Sequence, residues 1–104
     1  MPDEAVCCAP SDRPVLSDGE AARFANLFRA LSDPTRVKIV RLLASAPELC
    51  VCDINANFPL EPSTMSHHLH VLGGAGLIAG HKRGRWIFYR LQAEALMVLR
   101  EFAA

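Results

Sequence analysis

Four cysteines, arranged as two close pairs, have the most distinctive chemistry in this sequence. Cys7 and Cys8 are adjacent, and Cys50 and Cys52 are separated by one residue. Thiolates suit soft ions, so the four could hold Cd(II), Pb(II), Zn(II) or trivalent arsenic and antimony. Trivalent arsenic takes three thiolates in a pyramid, whereas cadmium or zinc takes four in a tetrahedron. The residues alone leave the ion open, and they also allow a disulfide redox switch or four thiols that are simply packed.

The spacing of Cys50 and Cys52 constrains the backbone between them. Residues i and i+2 of an α-helix do not face each other. Both thiols can therefore bind the same ion only if the chain is extended there or the helix start is unwound. A position at a helix start is also expected to lower the pKa of a thiol. Ligand binding would then pull on the helix that begins at this point.

Size and composition favour one small domain. The chain has 104 residues, of which 51% are hydrophobic, and a domain of this size gains from dimerisation. The net formal charge of +0 argues by itself against a nucleic-acid-binding protein, yet residues 81–90 hold four cationic side chains and no acid. No secretory signal or apolar run of about 18 residues is present. We therefore expect a cytoplasmic protein without membrane contact, whose cysteines act as thiols or metal ligands.

Capping residues and hydrophobic periodicity divide the chain into a flexible arm, residues 1–16, and a folded domain, residues 17–104. The predicted elements are helices that start at Ser17, Asp33, Cys50 and Pro62, strands over residues 77–81 and 86–91, and a helix over residues 93–102. The second helix is expected to run to about Ala46 and to bury Val37. The order α-α-α-α-β-β-α, mainly α with a β-hairpin, is typical of a winged helix-turn-helix. The last helix is apolar over a wide arc, which suggests a partner subunit.

The fourth helix and the hairpin turn carry side chains suited to DNA. A recognition helix needs small polar side chains near its start and donors for phosphates, and a basic hairpin tip suits phosphate or minor-groove contact. The predicted DNA contacts are Ser63, Thr64, Ser66, His67, His70, Lys82, Arg83 and Arg85. Either feature alone is more often an ordinary solvated surface, but together and in this order they favour DNA binding. His68 lies on the apolar side and is expected to be packed.

An enzyme is the rival class, because a Cys and a His can form a nucleophile pair. The sequence offers no Gly-rich phosphate loop and no evident acid–base partner set. We therefore predict a binding protein without catalytic activity. A thiol oxidoreductase would need a reversible disulfide and turnover.

Four segments together strongly resemble the ArsR/SmtB family of metalloregulatory repressors, in its arsenic-responsive subgroup. They are ALSDPTR at 30–36, ELCVCDI at 48–54, SHHL at 66–69 and RGRWIFYR at 83–90. The resemblance covers about residues 17–102. It implies a homodimer paired through its first and last helices. It also implies a repressor that leaves its operator when trivalent arsenic, or antimony, binds cysteine thiolates, so that resistance genes are derepressed.

Within that family the Cys-Val-Cys-Asp motif looks like the metalloid and cadmium/lead sites at the start of the third helix, with the Cys7-Cys8 arm completing the site. A Cd(II)- or Pb(II)-responsive repressor of the same fold is the alternative. Two features depart from the family pattern, one in the last helix and one at the start of the fourth. The last helix has Glu94 and Glu101 but no His, so no zinc site is expected there. Glu61 stands where many members have a capping Ser, and Glu is not a favoured N-cap.

Overall fold

The computed structural model describes residues 12–104, so Cys7, Cys8 and most of the predicted arm lie outside the described residues. The elements are helices α1 (Asp18–Ala30) and α2 (Pro34–Leu43), strand β1 (Leu49–Cys50), helices α3 (Val51–Ala56) and α4 (Pro62–Gly74), strands β2 (Ile78–Arg83) and β3 (Trp86–Leu91), and helix α5 (Ala93–Ala103). The predicted winged helix-turn-helix order is confirmed, with β1 as an addition. Among these residues, no helix is both long enough and apolar enough to cross a membrane.

The first two helices begin at the predicted capping residues. The backbone N–H of Glu20 donates to Ser17 Oγ at 3.2 Å, and the backbone N–H of Ser17 donates to Glu20 Oε1 at 3.1 Å. This hydrogen bonding lowers the pKa of the Glu20 carboxyl. Asp33 accepts a hydrogen bond from the backbone N–H of Arg36 at 3.2 Å, which is the main cause of its lowered pKa. Local side chains therefore determine where both helices start.

Helix α2 is shorter than expected. It ends at Leu43 instead of near Ala46. Its buried side chains are Ile39 and Leu43, which lie on one face because residues four positions apart stack along a helix. Val37 lies on the other side and is 48% exposed, so the prediction that it is buried is wrong.

The hydrophobic core joins the five helices and the start of β2. The largest fully buried side chains are Ile39, Leu43, Ile54, Met65, Leu72 and Leu77. Ile54 is the buried residue of the short helix α3. The core therefore holds α3, which carries the second cysteine of the later pair, against α4.

Replacing Ile54 by Ala is expected to destabilise the protein by about 2–5 kcal/mol, because it removes buried methyl groups and leaves a cavity. The free energy of unfolding should be measured by urea denaturation at one fixed protein concentration. Val37→Ala, on the exposed side of α2, is the control and should change that free energy by no more than about 0.5 kcal/mol. Equal losses in the two variants would contradict the position of Ile54 in the core.

The three strands form an antiparallel sheet in the order β1-β3-β2. Cys50 of β1 pairs with Phe88 of β3, and Phe88 pairs on its other side with His81 of β2. The β2–β3 hairpin, called the wing below, turns at Gly84, whose φ of 63° is one that glycine adopts without strain. The sheet thus connects the cysteine segment to the wing.

Helices α1 and α5 pack against each other through aromatic rings. Phe102 contacts Phe24 and Phe28 edge to face, with ring centroids 4.9 and 5.0 Å apart. Phe28, Met97 and Phe102 nevertheless remain 43%, 61% and 51% exposed. An apolar surface along α1 and α5 is therefore left open to solvent in this chain.

Candidate metal centre and nucleic-acid interface

The two later cysteines meet at the junction of β1 and α3. Cys50 ends β1 and is the N-cap of α3, with an extended backbone of φ −65° and ψ 147°. Its sulfur accepts a hydrogen bond from the backbone N–H of Cys52 at 3.4 Å, and the two Sγ atoms are 2.7 Å apart. The expectation that the chain must be extended for both thiols to converge is confirmed. Cys50 is 6% exposed and Cys52 is open to solvent.

The thiol of Cys52 is harder to ionise than an ordinary cysteine. Its pKa is raised, first because its S–H donates to Cys50 Sγ and then by partial desolvation and by the nearby charges of Cys50 and Asp53. The expectation that a helix start lowers this pKa is therefore wrong for Cys52. The hydrogen bond holds the proton on the sulfur, and it outweighs the effect of a helix of only six residues.

The donor set fits a thiophilic ion. Two converging sulfurs offer the soft ligands that such ions prefer. Within residues 12–104, no group of three or more His, Cys, Asp or Glu side chains is placed to hold a metal ion. If this pair binds an ion through three or more protein ligands, the others are not among the residues placed beside it in that range. Cys7 and Cys8, the other predicted ligands, lie outside the described residues.

Helix α4 presents the polar face that was predicted to contact DNA. Met65, Leu69 and Leu72 bury its opposite side. It begins at Pro62 after Glu61, whose side chain makes no capping hydrogen bond, as expected. The predicted DNA contacts on this helix are all exposed: Ser63, Thr64, Ser66, His67 and His70.

A cleft separates α4 from the wing. It has a volume of about 420 Å³, and its lining includes His70 of α4 and Lys82 of β2. Two predicted DNA contacts from different elements therefore line one cleft. Gly80, also in the lining, lies under the ring of Tyr89, where an added Cβ would be 2.7 Å from the ring.

His68 joins α4 to the first two helices. Its Nδ1 lies 3.3 Å from Nη1 of Arg36, whose Nε donates to the carbonyl oxygen of Ala30 at 2.7 Å. His68 is partly buried, so the prediction of a packed histidine holds, with a hydrogen bond added. The contact between Arg36 and His68 could not be predicted from the sequence, because the two residues are 32 positions apart.

The basic side chains of the wing are exposed, and one of them is paired. Lys82, Arg83 and Arg85 lie at the end of β2 and in the turn. Arg83 donates to the carboxylate of Glu48 through Nη2, and its guanidinium carbon lies 3.8 Å from the Phe88 ring centroid. The contact between Glu48 and Arg83 could not be predicted from the sequence, because the two residues are 35 positions apart and the pairing of the three strands brings them together.

Comparison with known proteins agrees with this architecture. The family described as bacterial regulatory protein, arsR family, matches residues 33–79. The cadmium resistance transcriptional regulatory protein CadC of Listeria innocua is 33% identical over 101 residues, which cover 92% of this chain and 85% of that protein. The arsenical resistance operon repressor of Escherichia coli K12 is 43% identical over 65 residues, which cover 62% of this chain and 56% of that protein.

The described fold also matches a solved structure over most of both chains. The crystal structure of the AntR antimony-specific transcriptional repressor superposes with a TM-score of 0.71 at 26% sequence identity, covering 92% of this chain and 88% of that chain. Sequence match, structural match and winged helix-turn-helix architecture agree with one another. The chain belongs to the ArsR family of bacterial regulatory proteins.

Proposed function

We propose that this chain is a homodimeric repressor that binds operator DNA and is released when trivalent arsenic, or antimony, binds its cysteine thiols. Release would derepress resistance genes. The observation that carries the proposal is the 2.7 Å separation of the Cys50 and Cys52 sulfurs at the start of α3. The arsenical resistance repressor and the antimony-specific repressor among the similar proteins support the choice of ligand.

The ligands of the proposed site are Cys50 and Cys52, together with Cys7, Cys8 or both from the N-terminal segment. Three thiols satisfy trivalent arsenic, so one cysteine of the earlier pair would suffice. Bound there, the ion would supply strong sulfur bonds that hold the start of α3 to the N-terminal segment. A displacement of α3 would be transmitted to α4, because Ile54 of α3 and Leu72 of α4 belong to one buried core.

The DNA-binding half of the proposal rests on α4 and the wing. The exposed polar face of α4 would enter the major groove, and Lys82, Arg83 and Arg85 would contact phosphates or the minor groove. The shared cleft lined by His70 and Lys82 supports joint action of the two elements. A homodimer would present two such surfaces about 34 Å apart, which is one turn of DNA.

The open apolar surface of α1 and α5 supports the homodimer. Exposed aromatic and Met side chains on these helices would be covered by the same surface of a second copy, as a two-fold interface requires. A partner there would fix the spacing of the two α4 helices. A ligand that alters this spacing would weaken DNA binding only as far as it binds the two conformations with different affinity.

Two other functions remain supported by particular observations. The cadmium resistance regulator among the similar proteins favours a Cd(II)-responsive repressor. In this alternative, which extends to Pb(II), all four cysteines would bind the ion. The close sulfurs also favour a redox switch, in which an oxidant such as a peroxide takes two electrons and the two S–H protons to leave a disulfide. Both alternatives keep the same DNA-binding surface.

The test is fluorescence anisotropy of a labelled duplex from upstream of the protein's own gene, with fully reduced protein. Arsenite and Cd(II) are titrated separately into the complex. Release by arsenite at near-stoichiometric levels, with little effect of Cd(II), is the expected result. Release by Cd(II) alone would favour the cadmium alternative. Tight binding that neither ion reverses would favour the redox switch, and the absence of binding would reject the repressor.

A further inference from the structure

The carboxylate of Glu48 links the cysteine segment to the wing. One oxygen, Oε1, accepts from Arg83, and the other, Oε2, lies 3.5 Å from Nε2 of His81. Glu48 is two residues before Cys50, and both partners belong to β2. A single side chain therefore contacts the wing at two points from a position beside the proposed ligand site.

The sheet register makes this contact part of a continuous patch. Cys50, Phe88 and His81 occupy one row across the three strands. The His81 ring stacks on the Phe88 ring, with centroids 6.1 Å apart and 24° between the planes. Arg83 lies over the same ring at 3.8 Å. Glu48, directly before β1, contacts both His81 and Arg83 and so completes the patch on the side of Cys50.

We propose that Glu48 is a positioning residue that couples the ligand state of the Cys50–Cys52 pair to the orientation of Arg83 in the wing. This inference rests on the proposed function. A guanidinium group has five N–H donors. The contact with Glu48 is made through Nη2, so Arg83 keeps donors for a phosphate while Glu48 and Phe88 fix its direction. Ligand binding that moves the end of β1 would move Glu48 and change how Arg83 is presented.

The pairing also explains how a site on α3 can affect DNA contacts outside α4. Arg85, by comparison, lies near the ring of Trp86, which is in the wing itself. The ring contact of Arg85 is therefore made within the wing. Arg83 also contacts Glu48, which directly precedes β1, so it is the cation of the wing that a change at the cysteines would reach first.

The test compares Glu48→Ala with Glu61→Ala. Each change removes one negative charge near the DNA-binding surface, but the Glu61 side chain makes no capping hydrogen bond, so Glu61→Ala controls for charge. The dissociation constant for the duplex is measured with and without arsenite. In Glu48→Ala, the arsenite-induced increase in that constant should be smaller than in the wild type by about tenfold. Glu61→Ala should keep the wild-type ratio.

Two further measurements separate coupling from a general structural effect. Arsenite binding to the DNA-free protein, followed by sulfur-to-arsenic absorption in the ultraviolet, should be unchanged in Glu48→Ala. In a double-mutant cycle with Arg83→Ala, the effects of the two changes on the arsenite-induced increase in the dissociation constant should be non-additive. Once either residue is replaced, replacing the other should have little further effect on that increase. Hydrogen exchange of the wing amides, without DNA or arsenite, should be faster in Glu48→Ala and unchanged in Glu61→Ala.

The outcomes are distinct. If arsenite releases the wild type and Glu48→Ala from the duplex to the same extent, the positioning role is overturned. Loss of arsenite binding in Glu48→Ala, or an additive double-mutant cycle, would also overturn it. If arsenite does not release the wild type, the proposed function fails, whether or not Cd(II) does. The hydrogen-exchange comparison then still decides whether Glu48 positions the wing, since unchanged exchange in Glu48→Ala rejects that role.

Discussion

The double variant Cys50→Ser, Cys52→Ser is expected to bind the operator as tightly as the wild type and to be insensitive to arsenite. The change removes both sulfurs that converge at the start of α3. It should preserve the local fold, because Ser is a favoured N-cap and its hydroxyl can accept the backbone hydrogen bond that Cys50 accepts now. The exposed position of Cys52 makes Ser there equally tolerable.

This prediction is checked by the anisotropy titration, with thermal unfolding as a measure of folding. The single variants Cys7→Ser and Cys8→Ser are tested in the same titration, to show which cysteine of the earlier pair binds the ion. If three thiols bind the ion, one of these two should keep its arsenite response. Loss of operator binding in the double variant would mean that Cys50 and Cys52 have a structural role, and the sensing hypothesis would fail.

The helix starts could be predicted because the interactions that determine them are local. Ser17 and Glu20, and Asp33 and Arg36, are three residues apart, so the sequence contains both partners of each cap. Strand β1 could not be predicted in the same way. It has two residues, too few to show any alternation, and it exists because β3 lies beside it. Its presence depends on the tertiary fold.

The convergence of Cys50 and Cys52 could be predicted from the sequence, but the electrostatics of the pair could not. The Cys50–Cys52 spacing indicates a shared site with an extended cap, and the geometry agrees. The raised pKa of Cys52 depends on which sulfur holds the proton in the contact between the two thiols. The partners of Arg83 and His68 lie 35 and 32 positions away along the chain. No local sequence pattern indicates contacts between residues so far apart along the chain, so these contacts can be identified only from the folded structure.

The raised pKa of Cys52 predicts that pH separates the two candidate inducers. Near neutral pH its thiol is protonated, and Cd(II) must displace that proton to bind. The affinity for Cd(II) should therefore fall on acidification, by about tenfold per pH unit for each proton displaced. Arsenous acid instead exchanges each hydroxyl group for a thiol, and the S–H proton leaves in the water that forms. Its affinity should stay nearly constant over the same range.

The affinity of the DNA-free protein for each ion is measured by ultraviolet absorption at several pH values between about pH 6 and about pH 8. In this range, the affinity for a metal ion depends on the protons that binding releases. Cys52→Ser is the control, and it should reduce the number of protons that Cd(II) releases by one. An affinity for Cd(II) that does not change with pH would mean that Cys52 is already ionised. With the S–H of Cys52 held by Cys50, Cd(II) has to displace a proton at this site, whereas arsenous acid releases that proton as part of a water molecule, so the pH dependence of binding distinguishes the two ions.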